Sequence, residues 1–234
     1  MQLSNLENKM YEVIEKNKLI VFSVDDLCLL LGINKIKAYN LLKALKKKAI
    51  IKSIGKRKFS FLGKNEFEIA SELNFPSYIS FWSALNYYGF SDNNPRKIFI
   101  ATTKYSKSFG NFKYITLSKK RFFGYTSVGK MIIAEKEKVI IDSLLFPKYS
   151  GGIKEIKKSL KEALNEIDLR KIINYALKIK SKAVIRRLGY LLDSLGIKDL
   201  KKLEKNIGSG FELLDPTLEK KNNLNTKWLL DINI

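Results

Sequence analysis

Three features of the 234-residue chain predict an α+β fold. Residues 24–48 carry two leucine stripes at helical spacing, parted by a glycine. Residues 49–62 read as a hairpin around a basic turn. Beyond them, short β-branched and aromatic runs between 97 and 133 give way to helical periodicity that continues to about residue 206. Together they predict an N-terminal winged helix-turn-helix over residues 1–63, then a mixed α/β domain over 64–234 ending in a helical bundle.

Taken in order, Met1 to Lys16 supply a first helix and Leu19 to Phe22 a short strand. Val24 to Leu31 places Leu27, Leu30 and Leu31 on one side and stops at Gly32, a natural C-cap. Asn34 is the N-cap of the next helix, in which Ala38, Leu41, Leu42 and Leu45 form one stripe. The other face carries Tyr39, Asn40, Lys43 and Lys47, bordered by Lys35, Lys37 and Lys46, with no acidic residue between Asn34 and Lys48. Such a helix buries its leucines and offers cations and hydrogen-bonding groups outward, as a DNA-recognition helix does. Ala49 to Ile54 and Phe59 to Leu62 are strands, and Gly55-Lys56-Arg57-Lys58 the basic tip between them. Lys56, Arg57 and Lys58 are expected on phosphates or in the minor groove.

Gly63-Lys64-Asn65 marks the boundary between the parts. Helices are expected over Glu66–Leu73 and Tyr78–Tyr88, and strands over Lys97–Thr102, Phe112–Leu117, Arg121–Tyr125 and Val128–Ile133. Further helices follow over 135–146, 153–166, 169–178, 181–195 and 200–205, with Asp168 and Ser181 as N-caps and Gly196 closing the long one. The tail from Gly208 reads as two short strands, 211–214 and 228–232, around a mobile loop at 222–225.

A formal charge of +21 favours polyanionic partners. Residues 1–63 hold thirteen basic and five acidic side chains, a net +8, which leaves +13 for the remainder. The single cysteine, Cys28, allows no internal disulfide, and the absence of histidine removes imidazole bases and imidazole-ligated zinc. No cofactor and no metal are expected. Neither a signal peptide nor a long apolar run is evident, so a cytoplasmic protein with no membrane association is expected. Glu155-Ile156-Lys157 is an E-x-K triplet of the kind metal-dependent nucleases use, but no preceding strand offers an Asp beside it. Arg186 and Arg187 flank the buried side of a long helix. One reading pairs them with Asp142 or Glu162, and the other makes them a C-terminal contact surface.

Several spaced motifs follow the hairpin: Tyr78-x-x-x-x-Ser83-Ala84-Leu85-x-x-x-Gly89, Pro95-x-x-Ile98-Phe99-Ile100-Ala101, Glu137 to Leu144, Pro147 to Gly152, and Arg187-Leu188-Gly189-Tyr190-Leu191-Leu192. In this order, after a winged domain, the chain resembles the AbiEi-type antitoxins over residues 1–195. The resemblance implies an antitoxin of a type IV toxin–antitoxin (abortive infection) system and no enzymatic activity. Its winged domain would repress its own operon at inverted repeats in double-stranded DNA. Its C-terminal domain would counter a nucleotidyltransferase-like toxin without a stable complex. Two rival readings remain at this point. One is a plain winged-helix transcription regulator with a ligand-sensing or oligomerising C-terminal domain, and the other a metal-dependent nucleic-acid-processing enzyme.

Overall fold

The computed structural model describes residues 2–234, so Met1, placed in the first helix above, lies outside the described residues. Those residues form a mixed α+β fold with ten α-helices and three β-sheets.

Helix α1 (Asn5–Lys16) begins later than expected because Ser4 caps it. The Ser4 N–H donates to Glu7 Oε2 at 2.7 Å, and the Ser4 hydroxyl accepts from the Glu7 N–H. Strand β1 (Phe22–Ser23) is shorter than the run from Leu19 suggested. Helix α2 (Val24–Leu31) ends at Gly32, whose φ of +65° only glycine adopts without strain. Helix α3 (Lys35–Lys47) starts where Asn34 Oδ1 accepts from the Lys37 N–H at 2.9 Å. Strands β2 (Ile51–Gly55) and β3 (Lys58–Phe61) form an antiparallel hairpin, and the sheet order is β1-β3-β2. Met10, Ile14, Phe22, Leu27, Ala38, Leu42, Leu45 and Phe61 are the heart of this unit's core.

The second unit opens with α4 (Glu66–Leu73) and β4 (Ser77–Ile79), followed by α5 (Phe81–Tyr87). Here the structure corrects the expected Tyr78–Tyr88 helix: Tyr78 pairs with Ala101, and Ile79 with both Ile100 and Ile133. A segment buried on both faces has no alternation to distinguish strand from helix. Strands β5 (Ile98–Thr102), β6 (Lys107–Phe109), β7 (Phe112–Thr116), β8 (Tyr125–Val128) and β9 (Met131–Ala134) complete a sheet of order β6-β7-β5-β4-β9-β8. The strand expected over 121–125 is instead a 3₁₀ turn (Lys119–Arg121) and an irregular stretch. That over 128–133 is folded back at Gly129-Lys130 into the β8–β9 hairpin.

Helices α6 (Lys136–Leu145), α7 (Gly152–Ala163), α8 (Leu169–Lys178), α9 (Lys182–Ser194) and α10 (Lys201–Glu204) form the helical half. The tail makes a third sheet from β10 (Glu212–Leu213), β11 (Leu224–Asn225) and β12 (Leu230–Asp231), in the order β10-β12-β11. Residues 222–225 are therefore not a mobile loop: the Asn222 and Asn223 N–H groups donate to the Asp231 carboxylate at 2.9 and 3.1 Å.

The larger core also takes in Ile20 and Ile54 from the first unit. Lys64 and Glu15 form an ion pair at 2.7 Å beside the junction. Among the described residues no helix is long and apolar enough to cross a membrane.

Candidate nucleic-acid interface

Helix α3 meets its neighbours through Ala38, Leu41, Leu42 and Leu45, all at most 5% exposed. That stripe turns Lys35, Lys37, Tyr39, Asn40, Lys43, Lys46 and Lys47 to the outside, and all seven are exposed. Ile36, which the apolar pattern passes over, is 73% exposed. It lies one turn before Asn40, so Ile36, Tyr39, Asn40 and Lys43 stand on one face at helical spacing. A large apolar side chain on such a face was the one available signal for it in the sequence.

The ion pairs sort the cations of this unit. Lys48 is held by Glu7 at 2.6 Å and Lys52 by Glu66, so both tie elements together. Lys35 meets Asp25 at 3.2 Å, but both are more than two-thirds exposed, and water screens the pair. Lys37, Lys43, Lys46 and Lys47 form no ion pair among the described residues. Nor do Lys56, Arg57 and Lys58.

Gly55 pairs with Lys58 across the hairpin, leaving Lys56 and Arg57 as its two-residue turn. Arg57 has a φ of +58°, a left-handed backbone that costs a non-glycine residue about 1 kcal/mol. Lys56 and Arg57 are exposed, whereas Lys58 belongs to β3 and is half-buried. The tip expected to carry three cations thus presents two. Neutral donors and unpaired cations on a helix face and a turn suit phosphate oxygens and base edges.

The motifs of the second unit lie inside it. Tyr78, Ser80, Lys138 and Asp142 are all fully buried. The Asp142 carboxylate accepts from Tyr78 Oη at 3.0 Å, from Ser80 Oγ at 2.8 Å and from the Lys138 ammonium. Burial holds the Lys138 amine below its usual range, and burial together with Asp142 pushes the Tyr78 hydroxyl well above its own. Arg186 and Arg187 are 1% and 6% exposed, which corrects the expectation of a C-terminal contact surface. Their partners are neither Asp142 nor Glu162. Arg186 donates to the carbonyls of Ile207 at 2.9 Å and Ser209 at 2.8 Å and lies 3.5 Å from Glu212. Arg187 donates to the carbonyls of Leu144 (2.9 Å), Leu214 (2.9 Å) and Leu213 (3.2 Å). Guanidinium groups, with five donors in a fixed fork, can serve several backbone carbonyls at once, here from the tail and from α6. Glu155, of the E-x-K triplet, accepts from the Ser91 hydroxyl.

The fold is similar to that of the RV2827C protein from Mycobacterium tuberculosis. That crystal structure aligns with a TM-score of 0.71 at 12% sequence identity, over 98% of this chain and 92% of the other. No protein-family model matches the chain, and no curated protein matches it.

Proposed function

We propose that the first unit is a winged helix-turn-helix that binds double-stranded DNA, with α3 as its recognition helix and the Lys56-Arg57 tip as its wing. On this reading the chain is an AbiEi-type antitoxin of a type IV system. It represses its own operon at inverted repeats and counters a nucleotidyltransferase-like toxin through the second unit, without catalysis and without a stable complex. The observation that carries the DNA-binding part is the exposed α3 face, with Asn40 and Tyr39 among four lysines that no carboxylate neutralises. Asn40 is suited to an adenine edge and Lys43 to a guanine edge or a nearby phosphate.

The test is binding to the DNA upstream of the chain's own gene. Asn40→Ala should lose about 1–3 kcal/mol of discrimination for its best site, and Lys43→Ala should weaken binding in a salt-dependent way. If both variants bind like the wild type, α3 is not the reader. Co-expression with the protein encoded beside it tests the antitoxin part. A neighbour that arrests growth, and is relieved by this chain, supports the reading; an arrest the chain leaves untouched refutes it.

A further inference from the structure

A second concentration of cations lies on the six-stranded sheet. From Asn93 to Ala134 the chain holds nine lysines and arginines and no acidic residue. Strands β5 and β7 are parallel, with Thr102 opposite Thr116, and the Leu117 N–H donates to the Thr102 carbonyl at 2.8 Å. The segments leaving the two strands therefore emerge together, bringing Lys104, Lys107, Lys119 and Lys120 to one end of the sheet. None of the four forms an ion pair among the described residues.

Between the first two lysines stands Tyr105, 92% exposed, at the rim of an open concavity that Thr103, Lys104, Lys107 and Thr116 also line. Its loop is anchored. The Thr116 hydroxyl donates to the Lys104 carbonyl at 2.7 Å, and the Thr116 N–H donates to Ser106 Oγ at 3.0 Å. Lys107 is placed too, its ammonium 5.0 Å from the centre of the Phe109 ring. Burial and then the neighbouring Lys104 charge pull its pKa down. Unpaired Lys104 and Lys107 on either side of the ring repel one another in the free protein, and the ring offers an open aromatic face. A ligand with both negative charge and flat apolar faces suits both features.

This end of the sheet is not the α3 face. Lys104, Tyr105, Lys119 and Lys120 lie just past the paired Thr102 and Thr116, whereas the hairpin tip approaches the other end, where a Cβ on Gly55 would lie 4.0 Å from Phe109 Cδ1; Lys107, with its ammonium 5.0 Å from the Phe109 ring, reaches between the two. A duplex would satisfy the lysines but hide its base faces from Tyr105, whereas a single strand offers phosphates and bases together. We propose that Lys104, Tyr105, Lys107, Lys119 and Lys120 form a binding site for single-stranded nucleic acid, with a base stacked on Tyr105 and phosphates held by the lysines.

The probe is fluorescein-labelled oligouridine of about 12 nucleotides, followed by anisotropy with the full chain, beside a labelled duplex of equal length. Tyr105→Ala should weaken oligouridine binding roughly 5- to 150-fold, the range for loss of one stacked base, while Tyr105→Phe retains it. Duplex binding should be unchanged in both variants. Joint replacement of Lys56 and Arg57 by Ala should do the reverse. The site is refuted if Tyr105→Ala binds oligouridine like the wild type, or if the hairpin-tip variant loses oligouridine as strongly as duplex. It is also refuted if polyglutamate of matched charge displaces the probe as well as unlabelled oligouridine, which would mark the surface as one for an acidic protein. Unchanged thermal melting of each variant excludes misfolding as the cause.

Discussion

The six-membered ring of Trp228 occupies the space where a Cβ on Gly189 would be: such an atom would lie 2.0 Å from Cζ3 and 2.4 Å from Cε3. Gly189 sits inside α9, where alanine would ordinarily stabilise the helix by about 1 kcal/mol. Here the clash wins, because Trp228 is fully buried and its Nε1 donates to Asp193 at 3.0 Å, so the ring cannot simply swing away. Gly189→Ala should therefore lower stability by about 1–3 kcal/mol in chemical denaturation. A variant as stable as the wild type would show that the tail does not depend on this contact.

Arg187 bridges α6 to the tail through three carbonyls. Arg187→Leu leaves those buried acceptors unpaired, with an expected loss on the order of 3 kcal/mol, while folded protein keeps its duplex affinity. Melting and duplex binding measured on the same preparation separate the two roles. Retained stability with lost affinity would return the side chain to the interface.

Replacing Lys56 and Arg57 together by alanine should flatten the dependence of duplex affinity on salt, by about 0.9 in log–log slope for each phosphate contact removed. Lys58→Ala should move the slope less, since that side chain is half-buried in β3. Titrations at several salt concentrations measure this directly, and an unaltered slope in the double variant removes the hairpin from the interface.

Acid should act on the first unit through Glu7. Its carboxyl is held below the usual 4.5, first by Lys48 and then by the Ser4 N–H. A carboxylate with a depressed folded-state pKa stabilises fully above its unfolded value and loses that contribution as pH falls through the folded one. Glu7→Gln keeps the cap but not the charge. The gap in melting temperature between wild type and variant should be widest at neutral pH and close on acidification below about pH 4.5. A gap independent of pH would mean the Lys48 pair contributes nothing.

What could be read in the sequence was what its neighbours in the chain decide. Helix α2 ends, and helices α3 and α8 start, where expected because Gly32, Asn34 and Asp168 act within a turn of where they stand. The exposed face of α3 was legible for the same reason, since thirteen consecutive residues contain both its inward and outward sides. Tyr78 and Ile79 were misread as helix because their partners are Ala101, Ile100 and Ile133, out of reach of any local pattern. The arginine pair was ambiguous in a similar way. A helical position shows that Arg187 leaves the apolar side, not that carbonyls 26, 27 and 43 residues away will receive it. The cluster around Tyr105 exists only because two parallel strands end side by side.

Ile20 and Ile54 reach into the larger core, and a Cβ on Gly55 would lie 3.4 Å from Leu73, so the first unit rests on the second through its own hairpin. The peptide at 62–65 is therefore a tether rather than a hinge. Lengthening it would leave the bearing of α3 unchanged, whereas trimming Ile54 or Leu73 would let the first unit swing. If two copies bind an inverted repeat as proposed, the spacing they tolerate should depend on this packing of Ile54, Gly55 and Leu73 as well as on α3.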